Sequence, residues 1–352
     1  MGPASDAPSV SDDPVLDLGD CWVVPGYIDP HVHGGGGAQC NTSDAEEIAA
    51  VARFHARHGT TGLVATTVAA PIQELESALD AIARCGAPTL LGAHLEGPFL
   101  SPKRPGAMDP ELFLEPDPEQ LRRLLEAGAG RVRLMTIAPE LPGSLALVEH
   151  LARERIVASI GHTDATDAEI RAAVHAGATS ATHVFNAMAP LHHRHPGAVG
   201  AVLDLPEVSC ELICDGIHVD PVAMRLLFRA KGVSGTRLVT DAMSAAGMPD
   251  GEYRLGGRRV SVAGGRAVLA GGDSIAGSTL TMERAVQNAV RNVGAPVQEA
   301  IAMASTNSAR LLGMAGRKGE ISAGADADLV VLDEALAVRA TMVAGRWLFG
   351  AP

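Results

Sequence analysis

The sequence predicts an α/β fold, a (β/α)8 barrel of the TIM type with a small β-domain built from both chain ends. Two observations carry this prediction. Eight short β-rich runs alternate with amphipathic helical patterns between residues 26 and 241. The polar residues His31, His33, Glu96, His162, His183 and Asp241 all fall where such a run hands over to a loop. The alternation alone also fits an open doubly wound sheet. The polar residues decide the matter, because the C-terminal strand ends of a closed parallel barrel converge on one mouth. A chain of 352 residues with 47% hydrophobic side chains has core enough for one large barrel and a minor second domain. Aromatics are only 3%, which suits close helix–strand packing by Ala, Val, Leu and Ile.

Residues 1–14 read as a disordered leader or an artefact of the start site, and they lack an apolar h-region. Residues 15–24 (VLDLGDCWVV) read as a strand–turn–strand fragment. The barrel is predicted over 25–317, with strands at 26–31, 62–67, 90–96, 132–137, 156–162, 179–183, 208–214 and 236–241. Helices are predicted at 44–58, 73–85, 118–128, 144–154 and 166–176. The Gly-rich stretch 251–274 breaks the alternation and reads as a β-hairpin insert, followed by helices at 280–293 and 297–304. The tail 318–350 returns to strand and turn, and is expected to pair with 15–24 as the small β-domain.

Each polar strand-end residue alone is a weak signal. A His-x-His pair on one strand face suits chelation but serves structure as readily. A strand-end Glu is usually a solvated cap, but Gly97 and Pro98 turn the chain sharply after Glu96 and can aim its carboxylate into the mouth. His162 and His183 follow small residues, and Asp241 ends an apolar run where an unpaired carboxylate is costly. Six such positions together point to a metal site, and imidazole mixed with carboxylate suits Zn(II), Fe(II) or a similar divalent ion. The helical histidines His55, His58, His150 and His175 take the bland reading of surface residues. His94 shares strand parity with Glu96 and is expected to face the barrel interior. Gly34–Gly37 reads as a flexible turn beside the metal.

A net charge of −13 argues against nucleic acid or an anionic membrane as the main partner. The run His192–His193–Arg194–His195 is nevertheless densely basic. Its bland reading is a solvated loop; its functional reading is an anion anchor, since Arg194 can grip a phosphate with two parallel hydrogen bonds. Lys103 and Arg104 could contribute, and His218 follows the seventh strand towards the mouth. No Walker motif or well-placed dinucleotide fingerprint is present. Five scattered cysteines without a CxxC pair suit a reducing, cytoplasmic setting, and no run of about eighteen apolar residues predicts a membrane span.

The strings PGYIDPHVHGGGG, HLEGPFL, GHTDA, THVFNAM, DGIHVD, VTDAM and GSTLTM, in that order over residues 15–349, resemble the N-acetylglucosamine-6-phosphate deacetylases of the amidohydrolase superfamily. The resemblance implies a barrel with a small β-sandwich domain, a homodimer, and hydrolysis of a phosphorylated N-acetyl amino sugar to the free amine and acetate. It places Glu96, His162 and His183 as primary metal ligands and Asp241 as the catalytic acid/base. His31 and His33, absent from some members, would hold a second ion, so one or two ions are expected. It assigns substrate contacts to Ala107, Met108, Asn186, Ala187, Arg194, His218, Ile275, Ala276 and Gly277, some of them across the dimer interface. Two features depart from the family: Met108 stands where members often carry a His, and few residues precede VLDLGDCWVVPG. A related deacetylase for the galacto epimer, a cyclic amidase, and a non-catalytic barrel are the alternatives. Glu96 at the metal bridge disfavours the cyclic amidases, which often use a carboxylated Lys there.

Overall fold

A computed structural model describes residues 16–350; the leader expected over 1–14 lies outside the described residues. The eight expected strands form one parallel sheet in chain order: Tyr27–Val32, Thr60–Thr67, Leu90–Glu96, Val132–Ile137, Val157–Ile160, Ser180–Ala181, Ser209–Ile213 and Thr236–Val239. The last strand comes back to the first. The Asp241 amide donates to the His31 carbonyl at 2.9 Å, and Val32 and Ala242 form a parallel bridge. The two edges therefore meet as a barrel, and the seam joins two of the expected ligand residues.

The five helices predicted between the first strands are Ala45–Ala56, Ile72–Arg84, Pro118–Ala127, Ser144–Arg153 and Asp167–His175. Their starts follow ordinary capping chemistry. The Asp44 and Asp117 carboxylates each accept the amide two residues on, and Thr166 with Glu169 forms a reciprocal capping box. In Ile72–Arg84 the buried Leu75, Ala78, Leu79 and Ile82 make one helical stripe, and each leucine there adds about 1.5–3 kcal/mol of burial. Two further helices, Gly197–Asp204 and Pro221–Lys231, complete the ring. Gly197 and Gly200 dilute the helical signal of the first. The Asp220 cap followed by Pro221 was a usable start signal for the second. The helix expected at 280–293 is α over Met282–Asn288 and a π turn over Ala289–Val293.

Three expectations need correcting. The insert is a three-stranded antiparallel sheet, Gly251–Leu255, Arg258–Ala263 and Arg266–Leu269, not a single hairpin. Its Leu255, Val260, Val262 and Ala267 pack with Val68, Leu100, Ala107 and Met108 beside the mouth. The Gly34–Gly37 segment is no flexible turn. Gly34–Gly35 pairs with Ala38–Gln39, and the amides of Gly34, Gly36 and Gly37 donate to the carbonyls of Ala242, Ala246 and Ser244. A Cβ at Gly34 would lie 2.4 Å from the Ala38 carbonyl oxygen, so this close approach requires glycine. His55 is fully buried rather than on the surface, and its Nε2 donates to the Gly34 carbonyl at 2.9 Å.

Strands Trp22–Pro25, Leu329–Leu332, Val338–Val343 and Arg346–Phe349 form one four-stranded antiparallel sheet, in which the first pairs directly with the second. Both chain ends therefore build the small β-domain. Below the mouth the barrel interior is polar. His94 bonds Thr136, which bonds Thr182, then Ser159, Ser180 and Arg237 in a continuous buried chain. Each side chain in this series bonds the next, which lowers the cost of burying them together, although Arg237 Nε is left without a partner.

Candidate metal centre

The structure brings all six expected ligand residues to the barrel mouth. Among the described residues, two groups of three offer donor atoms within 4.8 Å of one another: His31, His33 and Asp241, and Glu96, His162 and His183. Glu96 joins the groups. Its Oε1 lies 3.1 Å from His162 Nε2 and 2.8 Å from His183 Nε2, and its Oε2 lies 3.1 Å from His33 Nε2. Asp241 Oδ1 sits 3.0 Å from His33 Nε2 and 3.5 Å from His31 Nε2.

Local backbone sets these directions. His162, His183 and Asp241 all have positive φ (46°, 27° and 50°), which turns each side chain off its strand end into the mouth. Such conformations are costly for residues with a Cβ and concentrate at functional sites. Gly106 also has positive φ, and a Cβ there would stand 3.1 Å from His162 Cε1.

The protonation pattern tests whether these residues suit a cation. His31 Nδ1–H donates to Glu211 Oε2 (3.0 Å), His33 Nδ1–H to the Thr66 carbonyl (3.2 Å), and His162 Nδ1–H to the Arg104 carbonyl (2.9 Å). In each neutral ring the lone pair is then left on Nε2. The Nε2 atoms of His31 and His33 face one another at 3.1 Å, and His162 Nε2 lies 3.2 Å from Nε2 of His183, whose Nδ1 has no partner. Facing lone pairs need a proton or a metal ion between them, so the donor set fits a divalent cation.

The electrostatics agree. Burial pushes the His33 imidazole down, but Asp241 and Glu96 outweigh it and hold the group at about 9. His31 is likewise driven down by burial, yet raised well above its ordinary value by Glu96, Asp241 and Glu211. Burial would raise Glu96 and Asp241, but neighbouring histidines hold both low, Glu96 far below the usual carboxylate range. The cluster calls for positive charge at its centre.

A cavity of about 280 Å³ opens onto both triads. Of the expected substrate residues, Ala107, Met108, Asn186, Ala187, His218, Ile275 and Gly277 line it. His218 Nδ1–H donates to Asp215 Oδ2 at 2.6 Å, which leaves the Nε2 edge free. Ala276 is fully buried and does not line the cavity. Arg194 is exposed and lies at a separate surface cleft with Asp164, Thr166 and His192. Lys103 and Arg104 are engaged with Asp164. Sequence reasoning missed Glu211, Arg237 and Asp29, all buried ionisable residues around the site. A charged residue inside an otherwise apolar barrel strand was the available signal.

A parallel barrel carrying two His/carboxylate triads at the C-terminal strand ends has the architecture of metal-dependent hydrolases. Residues 22–348 match the Amidohydrolase family, and the chain belongs to it. It is 39% identical over 332 residues to N-acetylglucosamine-6-phosphate deacetylase of Lysinibacillus sphaericus, covering 92% of this chain and 85% of that protein. It is 41% identical over 329 residues to N-acetylgalactosamine-6-phosphate deacetylase of Escherichia coli O157:H7, covering 92% and 87%. A mutant N-acetyl-D-glucosamine-6-phosphate deacetylase from Mycobacterium smegmatis, solved in complex with N-acetyl-D-glucosamine-6-phosphate, superposes with a TM-score of 0.93 at 44% identity, covering 97% and 90%. The resemblance read from the motifs is thus borne out across the chain.

Proposed function

We propose that the chain hydrolyses N-acetylglucosamine 6-phosphate to glucosamine 6-phosphate and acetate. The observation that carries this reading is the pair of triads opening onto one cavity whose walls hold seven of the expected substrate residues. The galacto epimer is a second reading, favoured by the 41% identity to a deacetylase named for it.

Glu96, His162 and His183 would hold one ion, and His31, His33 and Asp241 a second; zinc or ferrous iron suits both sets. When bound, such an ion lowers the pKa of water and polarises the amide carbonyl. Asp241 takes the proton from the attacking water and returns it to the amide nitrogen, so that the amine leaves neutral. His218, with Nδ1 anchored on Asp215, donates from Nε2 to the carbonyl oxygen when doubly protonated. Asn186, Ala187, Ala107, Met108, Ile275 and Gly277 shape the site around the sugar.

Arg194 would hold the phosphate from a second subunit, which accounts for its position away from the cavity of its own chain. The exposed Val222 and Leu226, four apart on one helix, support a homodimer. No helix among the described residues is long and apolar enough to cross a membrane. All five cysteines are free, in keeping with a cytoplasmic enzyme.

The test is acetate release from a panel of N-acetyl hexosamine 6-phosphates and their unphosphorylated counterparts, before and after chelation. Chelator-sensitive release is expected, far faster from the phosphorylated sugars than from their unphosphorylated counterparts. No release from any of them overturns the reading.

A further inference from the structure

Glu211 sits in the middle of the seventh barrel strand, fully buried, and none of the roles above uses it. Its Oε2 accepts two hydrogen bonds, from His31 Nδ1–H on the first strand at 3.0 Å and from the main-chain amide of His183 after the sixth strand at 3.1 Å. His31 belongs to one triad and His183 to the other. One oxygen atom therefore ties a ring in the first group to the backbone of the second. Beneath it lies Arg237, also fully buried, with Nη2 at 3.5 Å from Glu211 Oε1. The guanidinium is itself held by Ser180 Oγ at 2.7 Å and by Ser209 Oγ. The arginine is built into the polar floor of the barrel, so the carboxylate above it has a fixed counter-charge and a fixed place.

We propose that Glu211 is a positioning residue for the metal centre. It fixes the His31 ring with Nε2 towards the mouth, sets the spacing of the two triads through His183, and is carried by Arg237. The inference rests on the two-triad metal reading above. Outer hydrogen-bond partners of metal-bound histidines fix ring tautomer and orientation, and losing one typically costs about 10–100-fold in metal affinity. The His31 triad should suffer most, because Glu211 bonds the side chain there and only the backbone at His183.

The experiment is zinc titration of the metal-free protein in competition with a chromophoric chelator, which resolves successive affinities. Wild type, Glu211→Gln and the charge-balanced double variant Glu211→Gln/Arg237→Met are compared; the double variant guards against unfolding around a lone buried arginine. His33→Ala identifies which affinity belongs to the His31 triad. In the double variant that affinity should fall about 10–100-fold while the affinity at Glu96, His162 and His183 changes much less. Both affinities falling in parallel with a lowered metal-free melting temperature means general structural damage, and overturns the proposal. Unchanged affinities overturn it as well, leaving the metal reading intact. Failure of the wild type to bind zinc or ferrous iron overturns the metal reading and this inference with it.

Discussion

His31 Nε2 and His33 Nε2 stand 3.1 Å apart, and each ring has already given its Nδ1 hydrogen to another acceptor. Neither can donate to the other without taking up an extra proton, so a bound cation is their natural partner. Wild type should carry two ions per chain, and His33→Ala should retain about one, at Glu96, His162 and His183. Elemental analysis of both proteins after dialysis checks this. Equal metal content would remove the second site. Saturating metal should also raise the melting temperature, since a ligand at about a hundred times its Kd adds about 2.7 kcal/mol.

Asp241→Asn removes the proposed base but keeps the shape. The expected loss is about 10²–10⁴-fold in kcat, the usual span for a missing general acid/base. Metal at Glu96, His162 and His183 should persist. Near-wild-type turnover on the phosphorylated sugar would end the assignment of Asp241 to proton transfer.

Arg194→Ala should raise KM for the phosphorylated sugar by about 10–100-fold, the worth of hydrogen bonds to a charged group, and leave the unphosphorylated sugar almost unaffected. With the anchor supplied by the other subunit, as proposed, dilution below the dimer dissociation range should raise KM in the same way. A KM that rises equally for both sugars, or that ignores dilution, contradicts the cross-subunit role.

His55 makes stability pH-dependent. Burial depresses its imidazole to about 4, against an ordinary value of 6.5. A histidine depressed in the folded state contributes stability that is fully present above about pH 6.5 and is lost as pH falls towards 4. Between pH 7 and pH 5 this group alone should cost about 2 kcal/mol. His55→Gln keeps a donor for the Gly34 carbonyl without the titration, so its urea midpoint should fall less over that interval. Parallel pH profiles for the two proteins would exclude His55 as the cause.

The strand ends were legible because their chemistry is conspicuous: His31, Glu96, His162, His183 and Asp241 each interrupt or end an apolar run. Glu211 and Arg237 were equally buried but lay inside runs scored as core strand, where the side chains around them carried the signal. His55 was readable in principle. Ile48, Val51, Ala52, His55 and Ala56 form one buried helical stripe, and a polar residue on that stripe has to face inward. The short sixth strand, Ser180–Ala181, was harder, because positive φ at His183, Phe185 and Ala187 bends the chain away just where the pattern suggests more strand. Arg194 lies in an exposed loop away from the cavity of its own chain, and neither strand parity nor helical periodicity fixes where such a side chain points.

The pairing of Trp22–Pro25 with Leu329–Leu332 has a consequence for how the molecule is made. The two partners lie about 300 residues apart, so in a growing chain the strand Trp22–Pro25 stays unmatched while all the residues between them are made. The barrel strands can pair with their neighbours as they emerge, but this edge waits. The small sheet is therefore the last part to close, and a nascent chain stalled before residue 329 should remain open to proteases at Trp22–Pro25 even with most of its barrel formed.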